Sequence, residues 1–257
     1  MTDEVLIERD GGVLVLTFNR PEKKNALTRA MYSAVAEALT AAETDPSVRC
    51  VLLQGAGDCF TAGNDLGDFA AVNRGDHGDG PRDANPLLPA LARATKPYVA
   101  AVHGVAVGVG VTMLLHCDLV FVADDAKLST PFVNLALVPE AASSLLLPAR
   151  IGHARAFAMF ALGEPVLGET AAAWGLANAA YPVAEVKERA LAAAKALAAR
   201  PLGALVSTKA LMRDGAAMLA KMEAELGEFS ARLKTAEAAE AFAAFRERRP
   251  ADFTKVA

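Results

Sequence analysis

Apolar and polar residues change period several times along the chain, and each change marks an element. "VLIERDGGVLVLTFNRP" reads as a β-hairpin, two β-rich runs around Asp10-Gly11-Gly12. After Thr28, an N-cap candidate, Met31, Val35, Ala38 and Leu39 recur at helical spacing. The near-continuous apolar run "VRCVLLQG" follows, the pattern of a strand covered on both faces. "KPYVAAVHG" and "CDLVFVADD" predict two more strands, separated by a glycine-bearing helix start. From about residue 140 the strand signal nearly vanishes, apart from "LANAAYPV". Alanine-rich helices are expected at roughly 153–162, 169–174, 183–199, 202–213 and 216–247, the last broken.

Strand–helix alternation followed by a helical C-terminal third predicts parallel strands joined by right-handed crossovers. The late helices carry many small residues and few large ones, so part of their apolar surface is expected to pack on another subunit. Residues 73–86, "NRGDHGDGPRDANP", hold no periodic apolar positions and many breakers, and read as a mobile surface loop.

Composition narrows the picture. The 257 residues, 53% hydrophobic and 22% charged, can bury a substantial core and are wrong for disorder. A net charge of −4 gives no global field for nucleic acid or anionic membrane. Cys50, Cys59 and Cys117 are an odd number without CxxC spacing, pointing to a reduced, cytoplasmic setting and to no metal motif. The acidic start "MTDEVLIERDGG" lacks the apolar run of a secretory signal. Residues 98–123 are apolar enough to span a bilayer, but His103, Gly104, Gly108, Gly110, His116 and Asp118 punctuate them. Strand, glycine turn, helix and second strand is the better reading.

Three stretches carry candidate chemistry. "FTAGNDL" (60–66) and "HGVAVGVGVT" (103–112) each set small residues beside glycine where the chain leaves a strand. Backbone N–H groups at such points are unpaired, and two from different loops can form an oxyanion hole. "LVPEAASSLLLPARIG" (137–152) places one carboxylate, Glu140, in an apolar or small setting. It reads either as an acid at a helix start or as a base in an apolar pocket. Asp65 is expected to fix its loop, and His103 and His116 to be packed core histidines.

"FNRPEKKNAL", "FTAGNDL", "KPYVAAVHGVAVGVGVTMLLHCDLVFVADDAKLSTPF" and "FRERRPADF", in this order and spacing, resemble the enoyl-CoA hydratase/isomerase, or crotonase, family along nearly the whole chain. The resemblance implies an α/β fold, a spiral of ββα units in residues 1–200 with a helical trimerisation region in 201–257. It implies an acyl-CoA thioester as partner and a homotrimer or dimer of trimers, with no nucleic acid, no membrane and no cofactor beyond the CoA carried by the substrate. By position the oxyanion donors should be the N–H groups of Ala62 and Val109. Gly63, Asn64, Asp65, Leu66, Gly108 and Phe132 should line the acyl-CoA site, while Arg20 and Lys24 meet the nucleotide end of CoA. Arg246, Arg248 and Arg249 form a second basic cluster, read as a solvated face.

The departures matter more. The two glutamates that position water in the family's hydratases are replaced by Thr112 and Phe132, neither of which is a general base near neutral pH. "TPFVNLALVPEAASS" instead resembles the peroxisomal type of Δ3,Δ2-enoyl-CoA isomerase, in which the glutamate of a Pro-Glu-x-x-Ser-Ser turn is the base. The resemblance therefore implies that Glu140 moves a proton between C2 and C4 of a 3-enoyl-CoA in fatty acid β-oxidation. The rivals are a hydratase or another reaction of the family, and a non-catalytic acyl-CoA-binding module.

Overall fold

The computed structural model describes residues 2–65 and 85–256. The hairpin forms as β1 (Val5–Asp10) and β2 (Val13–Phe18), antiparallel, with Val5 opposite Phe18 and Asp10 opposite Val13. Gly11 takes φ +59° in the turn, a conformation that glycine adopts without strain. All six residues of β2 are buried, whereas β1 buries Val5 alone, so β1 is the sheet edge.

Four strands continue in parallel from β2: β3 (Cys50–Gly55), β4 (Tyr98–Val102), β6 (Leu119–Ala123) and β9 (Ala179–Tyr181). Their spatial order is β1-β2-β3-β4-β6-β9. A second, small sheet joins β5 (Val105–Val107), β7 (Lys127–Ser129) and β8 (Val166–Leu167). These strands of two or three residues are too short to show a period of two in the sequence.

Thr28 caps the first long helix, Arg29–Thr44, its hydroxyl accepting from the Met31 N–H at 3.2 Å. That helix turns Met31, Val35 and Leu39 into the core. On the sheet, helix Val186–Ala198 buries Val186, Ala190, Ala194 and Ala198, four small or branched residues at a spacing of four that allow close approach to β3 and β4. Helices His153–Leu162, Gly168–Ala173 and Leu202–Met212 fall where expected. The last stretch is broken as expected, into Gly215–Arg232 and Ala236–Glu247, with Thr235 capping the second. Helix Ser143–Ile151, which contains Pro148, begins just after Glu140, where a helix start was one of the two readings, whereas helix Leu87–Arg93 has no counterpart among the expected elements.

Residues 98–123 resolve into β4, β5, a single helical turn (Val109–Thr112), a 3-10 turn (Met113–His116) and β6. No single helix among the described residues is long and apolar enough to cross a membrane. Of the 73–86 segment, residues 73–84 lie outside the described residues.

Candidate active site

The loops that leave β3 and β4 are stitched together by their backbones. Phe60 N–H donates to the His103 carbonyl (2.8 Å), Thr61 N–H to Val105 (3.1 Å), and Val107 N–H returns to Thr61 (3.1 Å). Packing is tight enough that side chains are excluded: a Cβ on Gly63, at φ +86°, would sit 2.5 Å from the Val107 carbonyl oxygen. A Cβ on Gly110 would sit 2.6 Å from Thr61 Cγ2. Asn25 reinforces the junction, its amide group donating to the carbonyls of Ala56 (2.8 Å) and Cys59 (2.9 Å).

Val109 is the first residue of its helix, where N–H groups have no intrahelical acceptor. The other expected donor needs correction. Ala62 N–H is committed to the Lys24 carbonyl at 2.8 Å, so it cannot serve an incoming oxygen. Gly63 N–H is likewise taken by the Thr61 hydroxyl at 3.0 Å, and Asp65 N–H by the Leu27 carbonyl at 3.1 Å. Asn64 N–H alone in this run has no acceptor among the described residues. Its side-chain oxygen accepts from the Tyr32 hydroxyl, which fixes the residue. The N–H left open in this loop is thus two residues beyond the position expected for a donor.

Thr112, at the end of the same short helix, donates its hydroxyl to Glu140 Oε1 at 2.5 Å. Glu140 is half-buried, and burial is the main reason its pKa rises from 4.5 to about 7. Thr112 opposes the rise, and the charge of Glu225 adds to it. Nearby, Leu137 and Phe132 are buried, and the Phe132 ring lies 6.1 Å from that of Phe160. Thr112 is thus not merely the place of an absent acid: it is the hydrogen-bond partner of Glu140.

The turn that carries Glu140 is unusual. Ala141 and Ala142 both have positive φ, +62° and +57°, at sites where a non-glycine residue costs roughly 1–3 kcal/mol each. Helix Ser143–Ile151 follows directly, with Ala142 as its N-cap. Glu140 is therefore not the acid that caps this helix. That place is taken by Glu225 from helix Gly215–Arg232, which accepts from Ala142 N–H (2.6 Å) and Ser144 N–H (2.9 Å).

The remaining expected residues separate into two groups. Arg20 is only 14% exposed and works internally: its guanidinium meets Glu4 at 3.1 Å, Asp65 at 3.5 Å and the Ala26 carbonyl at 2.8 Å. Asp65 thus fixes its loop through Arg20. Lys24 is exposed and paired with Asp58. In the C-terminal basic cluster, Arg249 pairs with Glu240 (2.5 Å) and Glu247 (2.7 Å), and Arg246 remains exposed. Gly108, with φ +56°, precedes Val109 and donates its N–H to Ser129 (2.8 Å). Leu66 lies outside the described residues. His103 and His116 are buried, as expected, with pKa values lowered chiefly by burial, that of His116 to about 3. Among the described residues no acidic, cysteine or histidine cluster could hold a metal ion.

Residues 8–256 match the family model described as enoyl-CoA hydratase/isomerase. The chain is 34% identical to 1,2-epoxyphenylacetyl-CoA isomerase of Escherichia coli (strain K12), over 99% of each chain. It is also 34% identical to enoyl-CoA delta isomerase 2 of Rattus norvegicus, over 96% of this chain and 64% of that longer protein. Among solved structures, Pseudomonas aeruginosa OdaA superposes with a TM-score of 0.89 at 46% identity, over 95% of this chain and 99% of that one.

Proposed function

Since the chain belongs to the enoyl-CoA hydratase/isomerase family, we propose that it shifts the double bond of a 3-enoyl-CoA to the conjugated 2-position. The observation that carries this reading is Glu140, a half-buried carboxylate with a pKa near 7, held by Thr112 beside the two glycine-bearing loops. A 3-enoyl thioester has acidic C2 protons because its anion spreads over the carbonyl and the double bond. Glu140 removes one of them. The N–H groups of Asn64 and Val109 hold the dienolate oxygen, and Glu140 returns the proton to C4. A base with a pKa near the working pH suits both transfers. With Arg20 enclosed, the exposed Lys24 and its neighbour Lys23 are the basic residues near that position left to meet CoA phosphates. The acting form in this proposal is a homotrimer or dimer of trimers, for which exposed Phe157, Leu162 and Leu167 offer apolar surface.

Water addition is the second reading, and Thr112 and Phe132 stand against it. Phe132 is buried against Phe160, and the Thr112 hydroxyl is occupied by Glu140. The test is to mix the protein with 3-hexenoyl-CoA and follow formation of the conjugated 2-enoyl thioester, with Glu140→Gln beside it. Conjugation by the wild type and its loss in the variant are expected. Appearance of 3-hydroxyacyl-CoA from a 2-enoyl-CoA, with no conjugation of the 3-enoyl substrate, would overturn the isomerase reading.

A further inference from the structure

We propose that Glu225 is the positioning residue of the site, its carboxylate clamping the left-handed Ala141–Ala142 turn from which Glu140 projects. The inference rests on the reading of Glu140 as the base.

The peptide unit between Ala141 and Ala142 is held at both ends. Its N–H, on Ala142, donates to Glu225 Oε2 at 2.6 Å. Its carbonyl, on Ala141, accepts from His116 Nε2 at 2.8 Å. The direction of the second bond follows from Arg213, whose Nη2 lies 2.7 Å from His116 Nδ1. Arginine only donates, so Nδ1 accepts, and the single imidazole proton sits on Nε2 facing Ala141. Arg213 is itself braced on the His116 and Leu91 carbonyls, at 3.4 and 3.0 Å.

Two consecutive left-handed alanines do not hold themselves. Such a turn persists only when its surroundings over-determine it, and here the surroundings are Glu225 on one side and the His116–Arg213 pair on the other. Glu225 is 7% exposed, so its bonds to Ala142 and Ser144 form where water does not compete. Met218 and Met222 of the same helix pack on Ala141 and Ala142 in a small apolar cluster with Ala92. The C-terminal helical region therefore reaches into the catalytic turn, and the carboxylate that satisfies the start of helix Ser143–Ile151 comes from far along the chain. Because that position is filled, the carboxylate of Glu140 has one hydrogen-bond partner among the described residues, the hydroxyl of Thr112, and is available for proton transfer.

The charged groups around the pair are few. Glu140 is acted on by Glu225, and Glu225 by Lys221 one turn earlier on its own helix and by the Ala142 and Ser144 donors. His116 is neutral across the working range, so it contributes geometry and no titration there. Removing the Glu225 charge should consequently make Glu140 easier to ionise.

Wild type, Glu225→Gln, Glu225→Ala and Glu140→Gln would be compared as full-length proteins. The readouts are kcat and KM for 3-hexenoyl-CoA against pH, melting temperature, and infrared titration of the buried carboxylic acid band lost in Glu140→Gln. For Glu225→Ala we expect kcat to fall by about tenfold or more with KM within about twofold, since the base is displaced while the CoA contacts remain. For Glu225→Gln, which keeps the size and one acceptor, we expect the acid limb and the infrared titration to move together to lower pH. If Glu225→Ala does not fold, Glu225→Gln alone carries the test. A lower melting temperature with kcat, KM and the Glu140 titration unchanged would overturn the proposal and leave Glu225 a structural cap. A wild type that binds but does not conjugate the substrate would defeat the isomerase reading; the infrared arm would still decide whether Glu225 controls Glu140.

Discussion

The hydroxyl of Thr112 donates to Oε1 of Glu140 across 2.5 Å, joining the helix that carries one expected oxyanion donor to the turn that carries the expected base. The bond favours the charged carboxylate, and it is the largest influence opposing the rise caused by burial. Thr112→Val keeps the shape and removes the donor. A hydrogen bond to a charged group is worth about 1.5 kcal/mol or more, which corresponds to about one unit of pKa. The acid limb of kcat should therefore move up by about that amount, with activity reduced about fivefold at pH 7 and largely recovered near pH 9. A pH–rate profile unchanged by the substitution would show that Thr112 does not act on the base.

The raised pKa of Glu140 carries a stability cost with a definite sign. Folded, the carboxyl titrates at about 7; its ordinary value is 4.5, so between these two the folded state binds more protons than the unfolded one. The contribution of Glu140 to stability is thus greatest below about 4.5, falls as pH rises toward 7, and levels off above. The full difference amounts to about 3 kcal/mol. Glu140→Gln, which cannot ionise, should be more stable than wild type at pH 8 by up to this amount and nearly equal to it at pH 4.5. Denaturant unfolding at the two pH values measures it. An equal difference at both would mean that burial is not what shifts the group.

Gly63 is required on two counts, its φ of +86° and the 2.5 Å approach that a Cβ would make to the Val107 carbonyl. Gly63→Ala must either flip the loop or push β5 away, and both moves displace the Asn64 N–H. A loss of about 1–3 kcal/mol in stability is expected, with a melting temperature several degrees lower. Because the backbone donor is displaced, kcat should fall by about a hundredfold even well below the melting temperature. Near-normal kcat in folded Gly63→Ala would remove Asn64 from the oxyanion hole.

The sequence shows most clearly those elements whose cause is local. β2 and β3 read as continuous apolar runs because both their faces are covered, and the helix after Thr28 announces its cap and its apolar stripe. The location of Glu140 was legible for the same reason, as a lone acid among apolar neighbours. What holds it was not. Glu225 reaches the turn from helix Gly215–Arg232, and Arg213 reaches His116 from the link that follows helix Leu202–Met212; nothing in their own neighbourhoods distinguishes them from other charged residues of the C-terminal region. The shift from Ala62 to Asn64 was hidden for another reason. Which N–H stays free depends on where Lys24 and Thr61 place their oxygens, a matter of folded geometry.

Arg20 and Lys24, four residues apart in one basic cluster, should respond to substitution in opposite ways. Arg20 is nearly enclosed and ties Glu4, Asp65 and the Ala26 carbonyl together beneath the Asn64 loop. Lys24 is exposed, with Asp58 as its only ion-pair partner among the described residues. Arg20→Gln should therefore reduce kcat by about tenfold through the loop and lower the melting temperature, leaving KM nearly unchanged. Lys24→Gln should leave kcat and melting temperature alone and raise KM by about threefold at low ionic strength. That effect should fade in added salt, because an exposed lysine near CoA phosphates acts through a screened charge. Steady-state kinetics at two salt concentrations separates the two roles. A salt-sensitive KM effect in Arg20→Gln, with none in Lys24→Gln, would return Arg20 to the CoA site and make Lys24 the bystander.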